Sequence, residues 1–153
     1  MNDYITEDLI FLDWQVADRQ ELFYKVSQIL DEKEFIKEGF LDYLNKREDD
    51  YPTALELENF SVAIPHGDPS YIRVSFIAIV RLEKPITMYK MEDSSEETEV
   101  DLFFILGLSE GEKHLTVLKQ VIKLFQNNDT VNDLKQANNV SDVLNILKIQ
   151  NRK

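Results

Sequence analysis

The pattern of apolar and polar positions predicts two helices and a short strand in the first third of the chain. An apolar run at Leu9–Leu12 is typical of a strand. Asp18 and Glu21 have the spacing of a capping box, in which each side chain satisfies a backbone N–H at a helix start. The apolar residues after this box recur at helical spacing on one face. A second helix is predicted from about Glu34 to Arg47.

The middle of the chain is predicted to be mainly strands. Three segments are apolar and rich in β-branched or aromatic residues: Phe60–Ile64, Val74–Leu82 and Val100–Leu108. The last is almost continuously apolar, as in a strand covered on both faces. The segment Glu48–Asn59 has no regular spacing of apolar residues and contains a proline, which predicts a loop. The acidic segment Met91–Glu99 is predicted to be a solvated loop.

The last third is predicted to be helical. Ser109 and Glu112 again have capping-box spacing. The face predicted to be buried after them carries Leu115, Leu118, Ile122 and Phe125. Two shorter helices are predicted near residues 130–136 and 141–147. Helices before, between and after apolar strands predict a single α/β domain over residues 1–153, with a sheet covered on both faces. The strand directions stay open at this point.

Composition narrows the classes of function. The 153 residues include no cysteine, which excludes disulfides and thiolate catalysis, and the formal charge is −12. That charge disfavours nucleic acid and anionic membranes, whose binding depends on Lys and Arg, and would steer a basic protein partner toward the chain. No apolar run approaches the ~20 residues that span a bilayer, and the N-terminus lacks the pattern of a signal peptide. We therefore expect a soluble, cytoplasmic protein without membrane insertion.

His66 is the first candidate for chemistry. It follows an apolar strand and Pro65, and Gly67 comes next, so it is predicted to lie at the end of a sheet, where α/β folds tend to bind ligands. A neutral imidazole is a nucleophile near pH 7, provided that an acceptor orients its other nitrogen. The alternative is an ordinary loop histidine.

Three further residues are candidates for binding an anion. His114 lies in the first turn of the third long helix, where unpaired N–H groups and the helix dipole favour negative charge. Arg47 is a candidate guanidinium clamp for a phosphoryl group, and Thr53 a candidate hydroxyl donor to the same anion. Each has a plain alternative: a solvent-facing helix residue, a surface arginine at a helix end, and a turn residue. Neither a glycine-rich phosphate loop nor a metal-binding motif occurs in the sequence.

Taken together, these residues resemble the enzyme IIA domains of the mannitol–fructose type in the bacterial phosphoenolpyruvate-dependent sugar phosphotransferase system. Residues 47–48, 51–53 and 62–66 (Arg-Glu, Tyr-Pro-Thr and Val-Ala-Ile-Pro-His) look like the active-site signature of that family. Residues 112–115 (Glu-Lys-His-Leu) resemble its second-histidine element, and residues 140–147 its final helix. The likeness extends from about Leu9 to Leu147.

The resemblance implies a mixed central sheet of about five strands with helices on both faces. It implies a phosphotransferase component in which the histidine-containing phosphocarrier protein phosphorylates His66, and His66 passes the group to a cysteine of an enzyme IIB. His114 and Arg47 would stabilise the phosphoryl group, and neither metal nor organic cofactor is required. Residues 52–55 (Pro-Thr-Ala-Leu) and the acidic segment Met91–Glu99 are similar to the galactitol-type branch, which implies a galactitol-like pathway.

Two other functions stay open from the sequence. One is a regulatory, phospho-accepting interaction module of the same fold that is not coupled to transport. The other is an acidic binding domain in which both histidines are incidental, and it predicts that His66 and His114 lie far apart.

Overall fold

The structure, a computed structural model, describes residues 1–151 of the chain. Its strands are β1 (Ile5–Trp14), β2 (Ala54–Glu56), β3 (Ser61–Ala63), β4 (Phe76–Tyr89) and β5 (Glu97–Gly107). Its α-helices are α1 (Arg19–Glu32), α2 (Phe40–Asp50), α3 (Gly111–Phe125), α4 (Asn128–Gln136) and α5 (Val140–Asn151). Short 3₁₀ turns lie at Asn2–Tyr4 and Pro69–Tyr71.

The five strands form one mixed sheet in the order β1-β4-β5-β3-β2. The β1–β4 and β3–β5 pairs are parallel, whereas β4–β5 and β2–β3 are antiparallel. The predicted α/β class with a mixed sheet of about five strands is therefore confirmed. The assignment of residues 1–153 to one domain stays a prediction.

Each face of the sheet is covered by its own group of helices. On one face, α1 and α2 pack against inward residues of β4 and β5 such as Phe76 and Phe103. On the other face, α3, α4 and α5 pack against every second residue of β5, namely Leu102, Phe104 and Leu106. Because successive side chains of a strand point to opposite faces, the central strands need apolar residues throughout. None of the helices in the described residues is long and apolar enough to cross a membrane.

Two predictions in the first half of the chain are wrong. The second helix does not begin near Glu34: Ile36 forms a β-bridge with Ile72, and α2 starts only after Gly39, whose φ of 96° lies in the left-handed region. The segment Glu48–Asn59 is not one loop, because it contains the last turn of α2 and all of β2. The capping box of α1 is confirmed at the N-cap, where Asp18 accepts a hydrogen bond from the Glu21 N–H.

The capping box predicted for α3 is also wrong. Ser109 bonds Ser75 instead, and α3 begins after Glu110 without a side-chain cap from the described residues. Leu115, predicted to be buried, is 55% exposed, because the packed face of α3 is shifted. That face carries Val117, Val121, Leu124 and Phe125. The acidic loop is shorter than predicted, since β5 already begins at Glu97.

The topology brings the ends of several elements together at one end of the sheet. Since β3 and β5 are parallel, the chain segments that leave them, toward His66 and toward α3, start from the same end. Pairing continues past β3, where the Leu106 N–H donates to the Pro65 carbonyl and the Gly67 N–H donates to the Leu106 carbonyl. Because β2 is antiparallel to β3, its start, which follows α2, lies at this end as well.

Candidate functional site

His66, His114 and Arg47, all predicted from the sequence, meet at this end of the sheet. The ring centroids of His66 and His114 are 4.9 Å apart, with 52° between the planes. Arg47, from the last turn of α2, contacts the His66 ring. The hypothesis that both histidines are incidental predicted a large separation between them, and that prediction is wrong.

The His66 ring is held by a hydrogen bond at each nitrogen. Its Nδ1 lies 2.8 Å from the carbonyl oxygen of Ile64, and its Nε2 lies 3.1 Å from Arg47 Nη2. A carbonyl and a guanidinium each have only one role, acceptor and donor respectively. Nδ1 therefore carries the hydrogen and Nε2 presents its lone pair. The buried ring, 8% exposed, has one nucleophilic atom, Nε2.

The surroundings of His66 keep this imidazole neutral. Burial lowers its pKa to about 4, and the nearby Arg47 and His114 act in the same direction, while the hydrogen bond to the Ile64 carbonyl opposes them. A charged imidazolium has no lone pair at Nε2 with which to attack. The ring is thus in its nucleophilic form at neutral pH.

His114 is a second imidazole that favours its neutral form. Burial and the charge of Arg47 lower its pKa, and the charge of Asp68 opposes this effect. Its Nδ1 is buried and has no hydrogen-bond partner among the described residues. Because an orphaned N–H is rarer in proteins than an orphaned acceptor, we assign the ring hydrogen to Nε2. His114 then offers one donor in the first turn of α3.

Arg47 is oriented by the loop that follows it. Its Nη1 donates to the Tyr51 carbonyl at 3.0 Å, and its guanidinium lies over the Tyr51 ring, 4.7 Å from the centroid. Its Nη2 is left for His66. A planar guanidinium in this position can donate to the oxygens of an anion beside Nε2.

Thr53 is close to the site but faces a different partner. It is 1% exposed, and both its N–H and its hydroxyl donate to the carboxylate of Glu48, at 2.7 and 2.8 Å. A contact between Thr53 and a bound phosphoryl group stays a prediction. Burial raises the pKa of Glu48, while these hydrogen bonds and the charges of Arg19 and Arg47 oppose the rise.

The sequence placed Glu48 beside Arg47 in the active-site signature but gave no sign of a role for Glu48 itself. Residues 47–50 are charged throughout and look like a solvated run. Helical spacing was the available signal, because Glu48 follows the buried Leu44 by four positions and so lies on the same face of α2. Among residues 1–151, no group of three or more His, Asp or Glu side chains is arranged to hold a metal ion.

The lowered pKa of His66 predicts an unusual pH titration. In the folded protein the ring should stay in its Nδ1–H form until the pH approaches 4, whereas an ordinary histidine titrates near 6.5. Two-dimensional ¹H–¹⁵N NMR of the ring nitrogens measures this directly. A His66 midpoint near 6.5 would contradict the assignment.

The same shift has a consequence for stability. Below its ordinary pKa, His66 binds a proton in the unfolded state but not in the folded state, so the free energy of unfolding falls as the pH drops from 6.5 toward 4. The whole pKa shift, from 6.5 to about 4, lowers the free energy of unfolding by roughly 3 kcal/mol at a pH below both values. His66→Asn should flatten that part of the pH profile, leaving a contribution of the same sign from His114, whose pKa is also lowered.

The site and the fold together define a class of protein. The site is a neutral, oriented imidazole beside an arginine and a helix N-terminus, and the fold is a mixed sheet covered on both faces. The class is an α/β domain in which a neutral histidine, with a lone pair on Nε2, lies beside an arginine and a second histidine. The chain belongs to the family described as phosphoenolpyruvate-dependent sugar phosphotransferase system, EIIA 2, whose sequence model matches residues 3–149. The resemblance inferred from the sequence is confirmed.

Similar proteins include components of sugar phosphotransferase systems. The chain is 33% identical over 91 residues to multiphosphoryl transfer protein 1 of Escherichia coli K12, a match that covers 60% of this chain and only 11% of that protein. It is 24% identical over 118 residues to the galactitol-specific EIIA component of E. coli O6:H1, with 77% and 78% of the two chains covered.

Solved structures of the same fold include a nitrogen regulatory protein and a mannitol enzyme IIA. Nitrogen regulatory protein IIA-Ntr of Neisseria meningitidis has a TM-score of 0.76 at 22% identity, with 95% of this chain and 97% of that chain covered. The mannitol enzyme IIA of E. coli, in complex with phosphorylated enzyme IIB, has a TM-score of 0.76 at 17% identity, with 94% and 98% covered. At these identities the likeness shows the fold alone.

Proposed function

We propose that this chain is a phosphoryl carrier of a sugar phosphotransferase system, with Nε2 of His66 as the accepting atom. The observation that carries the proposal is the arrangement of His66: a buried, neutral ring with its hydrogen on Nδ1 and its lone pair directed at Arg47. Membership of the EIIA 2 family supports the same chemistry.

Acceptance requires no proton transfer. The lone pair of His66 Nε2 attacks phosphorus while the bond from phosphorus to the donor histidine breaks, and that donor keeps the electron pair. The phosphorylated ring gains positive character, which the Ile64 carbonyl stabilises through the Nδ1–H bond. Release reverses this step: a thiolate of enzyme IIB attacks phosphorus, and the electron pair returns to Nε2.

Arg47 and His114 would stabilise the phosphoryl oxygens during both steps. At rest Arg47 Nη2 donates to the lone pair that must attack, so the guanidinium has to shift its hydrogen bond onto an incoming oxygen. The Nε2–H of His114 and the first N–H groups of α3 supply further donors. Such stabilisation and positioning account for most of the catalysis in phosphoryl transfer.

The partners follow from the proposed reaction. We infer that the donor is the histidine-containing phosphocarrier protein and the acceptor a cysteine of an enzyme IIB, with the protein acting in the cytoplasm. The solved complex of a mannitol enzyme IIA with phosphorylated enzyme IIB shows a protein of this fold bound to such an acceptor. Relatives specific for galactitol and mannitol support a hexitol pathway, with the galactitol-like branch as our proposal.

The test is phosphoryl transfer in vitro from phosphoenolpyruvate. With enzyme I and the phosphocarrier protein present, the protein should gain the mass of one acid-labile phosphoryl group. It should then lose that group to an enzyme IIB of the galactitol or mannitol type. Gain without transfer to either enzyme IIB would favour the regulatory alternative, for which the IIA-Ntr fold is a precedent. No gain, while a control enzyme IIA is labelled in parallel, would refute the carrier proposal.

A further inference from the structure

Glu48 is a buried charged residue for which the carrier reaction has no direct use. It lies in the last turn of α2, is 3% exposed, and both of its carboxylate oxygens accept hydrogen bonds from Thr53. One bond comes from the Thr53 N–H at 2.7 Å and the other from its hydroxyl at 2.8 Å. The carboxylate thus fixes the start of β2 to the end of α2.

Further hydrogen bonds lead from Thr53 to the nucleophile. The Thr53 carbonyl accepts from the Ile64 N–H at 3.2 Å, and the Ile64 carbonyl accepts from His66 Nδ1 at 2.8 Å. Thr53 and Ile64 are at most 1% exposed, so water cannot readily replace these partners. The orientation of the His66 ring therefore depends on the position of Thr53, which Glu48 holds.

The same carboxylate also affects Arg47. The Glu48–Thr53 contacts close the short loop that contains Tyr51, and the Tyr51 carbonyl accepts the hydrogen bond that orients Arg47. A loosened loop would move both the attacking ring and the guanidinium beside it.

We propose that Glu48 is a positioning residue for phosphoryl transfer at His66, acting through the geometry of its two hydrogen bonds with Thr53 rather than through its charge. The inference rests on the proposed carrier function. Misplacing a reacting group by about 1 Å can cost about a hundredfold in rate, so a residue that touches no substrate can still control transfer.

Two conservative variants separate geometry from charge. Glu48→Gln keeps the length of the side chain: its amide oxygen can accept from the Thr53 N–H, and its amide nitrogen can donate to the Thr53 hydroxyl oxygen. Glu48→Asp keeps the charge but is one methylene shorter and cannot reach both groups. The intact protein is used throughout, and both variants are compared with wild type for thermal stability.

Under saturating phosphorylated phosphocarrier, Glu48→Gln should transfer within about threefold of wild type and Glu48→Asp about tenfold or more below it, with half-saturation little changed in both. Ring ¹⁵N NMR of the unphosphorylated protein should show the Nδ1–H tautomer of His66 in wild type and Glu48→Gln. In Glu48→Asp it should show a mixture of tautomers.

Two results would overturn the role of Glu48. One is the opposite order of the variants, which would make the charge decisive. The other is a Glu48→Asp protein that is less stable but has a wild-type tautomer and transfer rate. If the wild type accepted no phosphoryl group, the carrier function itself would be refuted. The NMR comparison needs no phosphorylation, so it would still decide whether Glu48 positions His66.

Discussion

His66→Asn is expected to accept no phosphoryl group from the phosphorylated phosphocarrier protein, a loss of at least about a thousandfold in rate. Asparagine places an amide nitrogen near the position of Nδ1, so it can still donate to the Ile64 carbonyl, but it has no atom at the position of Nε2. The substitution removes the nucleophile and keeps the bond that orients it. Intact-mass measurement after incubation with enzyme I, phosphocarrier and phosphoenolpyruvate checks the result.

His114→Ala is the matched control for this prediction. It removes the neighbouring ring, whose centroid is 4.9 Å away, and leaves the accepting atom in place. We expect this variant still to be phosphorylated, but to transfer or retain the group poorly. If His66→Asn were phosphorylated and His114→Ala were not, the two roles would be reversed. Circular dichroism of both variants separates a lost nucleophile from a lost fold.

The sequence predicted that His66 follows a strand and that His114 lies in the first turn of a helix, because turn and helix signals flank the two residues. Pro65 and Gly67 surround His66, and the apolar spacing after His114 indicates a helix. The residue pattern alone could not show that the two rings meet, although the family resemblance implied that both contact one phosphoryl group. Their approach depends on the parallel pairing of β3 with β5, a tertiary contact between segments that have no local signal for their direction.

The errors in the prediction have local physical causes. Strand β2 has three residues, and its backbone pairs with β3 and, at Ala54, with the segment that follows β4. A strand this short is too brief for a hydrophobic period to reveal it. Strand β4 continues to Tyr89 past Pro85, near an irregularity in its pairing with β5. A proline is tolerated at such a place, although it normally argues against a central strand. From Ile86 onward the strand alternates between buried and exposed, a signal present in the sequence.

Glu48 and Arg81 show why buried charges are the hardest residues to find from a sequence. A charged side chain is normally exposed, and only its partners reveal that it has been buried. Glu48 is satisfied by Thr53, five positions later, whereas the main-chain partners of Arg81 lie more than fifty positions away. Glu48 belongs to the geometry of the site. Arg81 stabilises the fold on the opposite face of the sheet.

Arg81→Met is expected to destabilise the fold strongly without changing the site. Arg81 lies in β4 and is 8% exposed, and its Nη1 donates to the carbonyls of Leu134, Lys135 and Ala137 at 3.1, 3.3 and 2.7 Å. These carbonyls lie at the C-terminal end of α4, where helix carbonyls have no partner within the helix. Methionine fills much of the same volume but donates no hydrogen bond, so buried acceptors are left unsatisfied. We expect a loss of about 3 kcal/mol in the free energy of unfolding, measured by urea titration.

Asp13→Asn is the control that isolates the ion pair of Arg81 from its contacts with α4. The Asp13 carboxylate accepts from Arg81 Nη2 at 3.1 Å, but its side chain is 64% exposed, so its loss should cost less than about 1 kcal/mol. Asparagine also tolerates the left-handed backbone of residue 13, whose φ is 58°, so the substitution adds little strain. Equal destabilisation by Asp13→Asn and Arg81→Met would mean that the ion pair, rather than the capping of α4, is what Arg81 contributes. A much larger effect of Arg81→Met would identify the three carbonyls as the reason why a strand between two apolar layers keeps a buried arginine.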